Sequence, residues 1–328
     1  MGPLLSIIRQ FKIPIRKALK LFHSMIRPIA LYNSENLANL THHQIQAMTE
    51  NKTNLLAYLT ESETNIIHQK FLKTILGVKR NCSKMATLGE LGEFPLHLYG
   101  IICLLSHWHR VTQMHEDTLV NQTLNSVVSD GPSQSEWYAT VKFLLTLLDM
   151  ENLFLNPESI TTEKFTTICS EKLKLILIEQ WKAKISQDIT KNGQNNKLRF
   201  YKLFKTSFEM EPYLEHINHF ELRKSITKFR CSDHNLEIER GRYKQIKLEE
   251  RLCKFCPMNV ETELHFLQHC HMYSTLRERY FDNVEDGDVV QLLQCKEKYT
   301  AFKFANFIKK ASVIRKDALE LLNPSPLS

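Results

Sequence analysis

Glycine and proline are both scarce in this sequence, with 9 and 10 residues among 328. Turns depend on these two residues, and all-β folds need many turns, so their scarcity favours a mainly helical protein. The patterns G-x-G-x-x-G, G-x-x-x-x-G-K-[ST] and G-x-S-x-G are all absent from the chain. Rossmann, P-loop and α/β-hydrolase folds depend on those glycines and therefore have no support in the sequence.

Long apolar runs are also missing. No stretch approaches the roughly 18 uninterrupted apolar residues of a membrane-spanning helix. The apolar segment 4–31 is interrupted by six Lys and Arg side chains and shows no secretory cleavage pattern. Eight unevenly spaced cysteines do not form a disulfide framework in a chain of this length. We therefore expect an intracellular protein of the cytoplasm or nucleus with no membrane partner, and four ordinary buried thiols at Cys82, Cys103, Cys169 and Cys295.

Apolar residues recur at helical intervals through most of the chain. They predict helices over residues 161–189, 197–208, 214–227 and 299–322. Turn-rich or polar breaks fall at 129–133 and 191–196. The sequence therefore predicts a mainly α protein, with strands that are short and confined to a small zinc knuckle or its approach. The regions predicted from the breaks are bundle-like helical parts at 1–128 and 133–190, and a basic C-terminal module at 197–322.

The positive charge is concentrated in one part of the chain. The formal net charge is +7, and residues 191–254 alone carry 15 Lys and Arg against 9 Asp and Glu. A basic surplus confined to one segment is typical of a surface that binds a polyanion. The C-terminal module is therefore the part of the chain most expected to bind a polyanion.

The strongest motif is Cys253-x2-Cys256-x8-His265-x4-Cys270, which spans residues 253–270. Two thiols two residues apart can form a tight knuckle around one ion, and a His and a Cys can complete a tetrahedron from a short helix. The sequence predicts one structural zinc with these four ligands, because a closed site leaves no position for a catalytic water. Two alternatives stay open: a chance grouping of the four residues, and His269 or His271 as a rival ligand.

Basic and aromatic residues alternate just before and within this motif. Such a mixture contacts phosphates and stacks on unpaired bases, although a solvated helix face with internal ion pairs has a similar composition. Lying beside a zinc knuckle, the segment is interpreted as a surface for single-stranded RNA or DNA. The predicted phosphate contacts and the stacking tyrosine are Arg230, Arg240, Arg242, Arg251, Lys254 and Tyr243.

The order of these motifs resembles the C-terminal cysteine-rich region of the polyprotein of LINE-type (non-LTR) retrotransposons. The resemblance rests on Phe229-Arg230, on residues 239–243 (Glu-Arg-Gly-Arg-Tyr), and on the Cys and His spacing through Tyr273. Residues 26–35 are similar to the end of that family's polymerase thumb, although Asn33 stands where the family tends to have Gly. Residues 68–78 and 89–96 are similar to the segment that follows the thumb. The likeness extends from about residue 24 to 319 and is weakest between 121 and 191.

The resemblance implies a non-catalytic, nucleic-acid-binding fragment of a reverse transcriptase polyprotein. No Asp-Asp pair occurs in the chain, so the family's polymerase aspartates are not among its residues, and its endonuclease is expected upstream. The implied partners are RNA or DNA and the rest of such a polyprotein. Three alternatives stay open: a piece of an active polymerase encoded by a longer gene, a zinc-knuckle scaffold for protein interactions, and a decayed gene copy.

Overall fold

The computed structural model describes residues 2–187, 197–281 and 289–322. Within these residues the chain is mainly helical, which confirms the predicted fold class. Strand pairing in the described part is limited to isolated bridges between Leu91 and Met210 and between Leu252 and Val260. The α-helices, numbered in chain order, are α1 Gly2–Gln10, α2 Ile15–Met25, α3 Arg27–Ala30, α4 Ser34–Leu37, α5 His42–Thr49, α6 Leu55–Glu61, α7 Glu63–Leu76, α8 Lys84–Leu91, α9 His97–Thr112, α10 Leu119–Asp130, α11 Glu136–Leu147, α12 Glu151–Leu155, α13 Thr162–Ser186, α14 Tyr213–His216, α15 Phe220–Arg230, α16 Glu237–Tyr243, α17 Ser274–Tyr280, α18 Val289–Gln294 and α19 Lys298–Leu322.

The two longest predicted helices are confirmed as α13 and α19, but the two between them are not continuous. The helix predicted over 197–208 is wrong: that segment forms turns with one 3-10 turn at Tyr201–Leu203. Within this segment, Lys205 is buried and donates to the Glu209 carbonyl at 2.7 Å and to the Glu211 carboxylate. The helix predicted over 214–227 is divided into α14 and α15. The break is stabilised by Arg223, which donates to the Ile217 carbonyl at 3.0 Å.

Helix α7 ends where a glycine is required. Gly77 has a φ of +72°, a left-handed conformation that glycine adopts without a Cβ clash. The Val78 N–H donates to the Lys73 carbonyl at 3.1 Å and closes the end of the helix. A Cβ at position 77 would lie 2.9 Å from Lys224 on α15. The glycine therefore both ends α7 and lets α15 approach it.

The chain divides into two compact units, each discontinuous in sequence. Unit 1 consists of Met1–Lys20, Gln69–Glu93 and Lys184–Ser328, and unit 2 consists of Leu21–His68 and Phe94–Ala183. The three consecutive regions expected from the sequence stay a prediction, and the break at 191–196 lies outside the described residues. No described helix combines the length and the apolar character needed to cross a membrane.

Helix α9 forms the centre of unit 2. Leu98, Ile101 and Leu104 are fully buried along one side of it. Gly100 lets α4 pack closely, because a Cβ at this position would lie only 3.3 Å from the Cβ of Ser34. The burial of apolar side chains around a central helix is the main stabilising term for such a unit.

An aromatic cluster between α15 and α19 forms the core of unit 1 beside the cysteine motif. Phe229 on α15 lies 6.0 Å from Phe304 on α19 and 5.6 Å from Phe266, measured between ring centroids. Phe266 belongs to the cysteine motif and also lies 5.9 Å from Phe307 on α19. The motif is therefore packed into the core of unit 1 through an aromatic side chain.

Three of the four cysteines predicted to be ordinary buried thiols are buried, namely Cys82, Cys169 and Cys295. Cys103 is exposed on α9, so the prediction is wrong for this residue. Its neighbours Ile101 and Leu104 are buried, whereas Cys103 lies outside the buried face. The apolar run around it led to the error, because α9 is apolar over more than its buried face.

Candidate metal centre

The four predicted ligands lie together in unit 1. One ligand atom from each of Cys253, Cys256, His265 and Cys270 can be chosen so that all four lie within 4.8 Å of one another. The Cys270 sulfur is 3.9 Å from that of Cys253 and 3.7 Å from that of Cys256. Tetrahedral ligands at the usual metal–sulfur distance of about 2.3 Å are separated by similar distances. The cluster can therefore hold a metal ion.

A short turn between the isolated bridge residues Leu252 and Val260 positions the first two cysteines. The Cys253 N–H donates to the Asn259 carbonyl at 2.8 Å, and the Asn259 N–H donates to the Cys256 carbonyl at 2.9 Å. These two bonds fold residues 253–259 into the tight turn that begins the knuckle 253–270, as the two-residue spacing of the thiols predicts. The turn thereby brings the sulfurs of Cys253 and Cys256 within 4.8 Å of each other.

A single π-helical turn, His265–His269, positions the other two ligands. In an α-helix of 3.6 residues per turn, residues five apart point about 140° away from each other. In the π turn the Cys270 N–H donates to the His265 carbonyl at 2.8 Å, a bond that joins residues five apart. The short helix predicted for these two ligands is therefore a π turn, whose wider spacing lets His265 and Cys270 face the same centre.

The rival histidines differ in their positions. His269 is exposed and does not belong to the cluster of four. His271 is also exposed, but its Nδ1 atom lies 3.1 Å from the Cys256 sulfur. His265 is buried, and its Nε2 atom has no hydrogen-bond partner among the described residues. A buried imidazole nitrogen without a partner beside three sulfurs fits a metal ligand, because a metal would satisfy it.

The thiols of the cluster share protons unequally. The pKa of Cys253 is lowered to about 5, because the Cys270 thiol donates to its sulfur and the Phe255 backbone adds a second hydrogen bond. The same pairing raises the pKa of Cys270, and burial raises it further. Metal binding requires thiolates and therefore has to release the proton that Cys270 retains.

Buried ion pairs that the sequence did not reveal fasten the knuckle to the rest of unit 1. Arg315 on α19 donates to both carboxylate oxygens of Glu261, at 2.8 and 2.7 Å. Arg199 donates to both oxygens of Glu263, at 2.9 and 3.1 Å. Attraction from His234 and Arg199 outweighs burial and lowers the pKa of Glu263. The partners are 54 and 64 residues apart in sequence, so no local pattern could have paired them.

Arg230, predicted to contact phosphate, lies instead at the centre of a buried ion network in unit 1. Its side chain and that of Glu90 are both fully buried. The guanidinium donates to both oxygens of Glu90 at 2.9 to 3.2 Å and lies 2.6 Å from an oxygen of Glu211. The predicted role of Arg230 is wrong, because a guanidinium enclosed by two carboxylates cannot reach a phosphate.

Arg251 is likewise an internal residue. Its guanidinium donates to the Ile238 carbonyl at 3.0 Å and to the Ile246 carbonyl at 2.8 and 2.9 Å. Its side chain lies over Gly241, where a Cβ would come within 2.5 Å of the Arg251 Cγ atom. The predicted phosphate contact of Arg251 is therefore wrong, and the residue instead joins α16 to the segment that follows it.

The other predicted contacts are accessible to different degrees. Arg242 is half-buried and donates to Glu239 at 3.0 Å, and Arg240 donates to Glu237 at the same distance. Both are pairs between residues three apart on α16, and in both the carboxylate is largely buried. Lys254 is exposed, and Tyr243 is 81% exposed. Arg240, Lys254 and Tyr243 are placed where a ligand can reach them, and their contacts with nucleic acid stay a prediction.

The chain was compared with protein-family models, with curated proteins and with solved structures, and none of the three comparisons finds a match.

Proposed function

We propose that this chain is a non-catalytic nucleic-acid-binding module whose C-terminal part is ordered by one structural zinc ion. The observation that carries the proposal is the meeting of Cys253, Cys256, His265 and Cys270 within 4.8 Å. Three sulfurs and one imidazole are the donor set that favours zinc over the harder cations Mg²⁺ and Ca²⁺. Four protein ligands fill a tetrahedron, so the ion would serve folding and leave no coordination position for substrate.

The zinc would stabilise a segment that has little core of its own. Of the described residues in the knuckle, Phe266 and Leu267 are buried apolar side chains, whereas Met258 is 93% exposed. Binding free energy for zinc in small modules is also folding free energy. Loss of the metal should therefore loosen the contacts of Phe266 with α15 and α19.

Nucleic acid is the proposed partner because basic and aromatic side chains remain accessible around the knuckle. Tyr243 and Arg240 project from α16, and Lys254 lies between the first two ligands. Proteins bind single-stranded RNA or DNA by combining basic side chains that contact phosphates with exposed rings that stack on bases. The resemblance to the C-terminal region of a LINE-type polyprotein supports the same partner, an intracellular location and a role beside the rest of such a polyprotein.

The first experiment measures metal content. The full chain, purified without added metal, should contain one equivalent of zinc by elemental analysis. Cys270→Ser should lose it, whereas Cys103→Ser, which changes an exposed cysteine outside the cluster, should retain it. Full zinc retention by Cys270→Ser would contradict the ligand assignment.

The second experiment tests whether RNA binding depends on the bound metal. Binding of a labelled single-stranded RNA should be measured by fluorescence anisotropy for both variants at low salt. We expect Cys103→Ser to bind as the wild type does and Cys270→Ser to bind more weakly, because the ordered surface is lost. Equal binding by both variants, with zinc lost from Cys270→Ser, would separate the metal from the function and refute the proposal.

A further inference from the structure

A cleft of 790 Å³ lies along α15 and α19 in unit 1. Its lining includes the buried rings of Phe229 and Phe266 and the segment 233–236. The volume is within the range of about 300–1,000 Å³ that is typical of ligand sites. This cleft is distinct from the metal cluster, because none of the four candidate ligands lines it.

Lysines line both long sides of the cleft. Lys224 and Lys228 are four residues apart on α15, and Lys309 and Lys316 are seven apart on α19. Residues four or seven apart share one face of an α-helix, so each helix presents a row of ammonium groups to the cleft. In all, seven Lys and Arg side chains line it against three Asp and Glu side chains.

The three acidic groups of the cleft are already engaged, whereas two lysines are not. Glu221 lies 3.1 Å from Lys224, and Glu320 lies 3.6 Å from Lys316. The Asp233 carboxylate accepts the Lys79 backbone N–H at 2.7 Å. Lys228 and Lys309 have no carboxylate partner within the ranges that the structure describes. Their charges are available to an anionic ligand.

An exposed ring lies on the same helix as a cleft-lining arginine, although the ring itself does not line the cleft. Arg240 on α16 lines the cleft, and Tyr243 follows three residues later on the neighbouring face of that helix. Tyr243 is 81% exposed, so its ring is free to stack on a base. An acidic peptide would use the lysines but has no base to place on this ring, and a duplex is too wide to enter a cleft of this size.

We propose that this cleft binds the phosphate backbone of single-stranded nucleic acid, with Lys228 and Lys309 as contacts from opposite sides and Tyr243 stacking at its end. The inference rests on the proposed function and assigns its binding surface to the cleft between α15 and α19. The contacts come from the lysine rows in place of the buried Arg230 and Arg251. Lysine binds phosphate as a point charge and needs no fixed geometry, which suits binding without sequence preference.

The test uses the full chain with zinc bound and a labelled 20-nucleotide single-stranded RNA. The variants are Lys228→Gln, Lys309→Gln and the double variant, with Lys310→Gln as the control. Lys309 and Lys310 are adjacent and both exposed, but Lys310 does not line the cleft and lies over the Tyr280 ring. Anisotropy titrations at several salt concentrations give the affinity and its salt dependence, and zinc content confirms that each variant is folded.

Each contact to a single strand contributes about 0.7 to the slope of log affinity against log salt. Removal of one contact should therefore flatten the slope by about 0.7 and weaken binding about five-fold at 0.1 M salt. The double variant should lose about 25-fold on the same basis. The control Lys310→Gln should stay within about two-fold of the wild type, as expected for a charge outside the contact surface.

Three results would overturn the inference. Wild-type affinity and slope in the double variant would place RNA binding elsewhere on the chain and leave the proposed function intact. Displacement of the RNA by polyglutamate as effectively, per charge, as by unlabelled RNA would assign the cleft to acidic peptides. Absence of RNA binding by the wild type at low salt would refute both this inference and the proposed function.

Discussion

Replacement of Arg230 by methionine tests whether this arginine holds unit 1 together or contacts a ligand. Methionine keeps the apolar stem but removes the guanidinium that donates to Glu90. Glu90 then retains the Tyr213 hydroxyl at 2.5 Å, and Glu211 retains Lys205. Removal of one partner of a buried ion pair costs about 3–5 kcal/mol, because the other charge stays buried without compensation. That cost is a large fraction of the roughly 5–15 kcal/mol by which folded proteins are stable.

The matched control is Arg240→Met, which removes the same group from an exposed position. Arg240 pairs with Glu237 across one turn of α16, with 43% of its side chain exposed. Glu237 is 13% exposed but keeps a second cation, Arg315, at 3.5 Å, so loss of Arg240 should cost only about the 0.2–1 kcal/mol of an exposed pair. We therefore expect a large fall in unfolding free energy for Arg230→Met and almost none for Arg240→Met.

The pH dependence of the unfolding free energy tests the same prediction independently. Burial alone would raise the pKa of Glu90, but Arg230 outweighs burial and lowers the pKa below its ordinary value. In the wild type this carboxylate therefore stabilises the fold above its unfolded pKa, and the contribution is lost as pH falls through the folded pKa. In Arg230→Met, burial without the cation raises the pKa of Glu90, so protonation relieves the penalty at low pH. The difference between the two proteins should shrink from pH 7.5 towards pH 5.

Urea unfolding followed by circular dichroism at 222 nm, with metal release as a second probe, measures these differences. Tryptophan fluorescence does not serve, because Trp108, Trp137 and Trp181 all belong to unit 2. A fall of less than about 1 kcal/mol for Arg230→Met would contradict the buried network. Weakened RNA binding at unchanged stability would restore Arg230 as a phosphate contact.

Three further results are expected. His271→Ala should retain one zinc equivalent by elemental analysis, since His265 completes the cluster of four, and zinc loss would make His271 a ligand. Tyr243→Ala should weaken RNA binding without changing its salt dependence, because stacking releases no counterions; a flatter slope in anisotropy titrations would contradict a stacking role. The full chain should not extend a primer on RNA or DNA with magnesium, because it has no Asp-Asp pair to bind the catalytic ions, and template-dependent nucleotide incorporation would contradict this.

Features that depend on neighbouring residues could be predicted from the sequence. Helical periodicity indicated the mainly α fold and located α13 and α19 to within a few residues. The Cys and His spacing indicated all four members of the cluster. The π turn between His265 and Cys270 could not be predicted, because the spacing of the two residues does not specify a π turn over an α-helical one.

Features that depend on distant partners could not be predicted. Glu90 and Arg230 are 140 residues apart, and nothing local to either residue identifies the other. One signal at Arg230 was available: it lies four residues after Ile226 and therefore on the buried face of α15. Lys224 and Lys228 lie outside that stripe, so the helical phase separates the lysines that face the cleft from the arginine that faces the core.

The most direct test of the account is the salt dependence of RNA binding by the zinc-loaded wild-type chain. Anisotropy titrations with a single-stranded RNA should be made from 50 to 400 mM salt, before and after removal of zinc by a chelator. We expect binding at low salt and a loss of affinity after chelation. The slope of log affinity against log salt should be about −0.7 for each phosphate contacted. Absence of binding at 50 mM salt, or an affinity that changes with neither salt nor zinc, would contradict a zinc-ordered nucleic-acid-binding module.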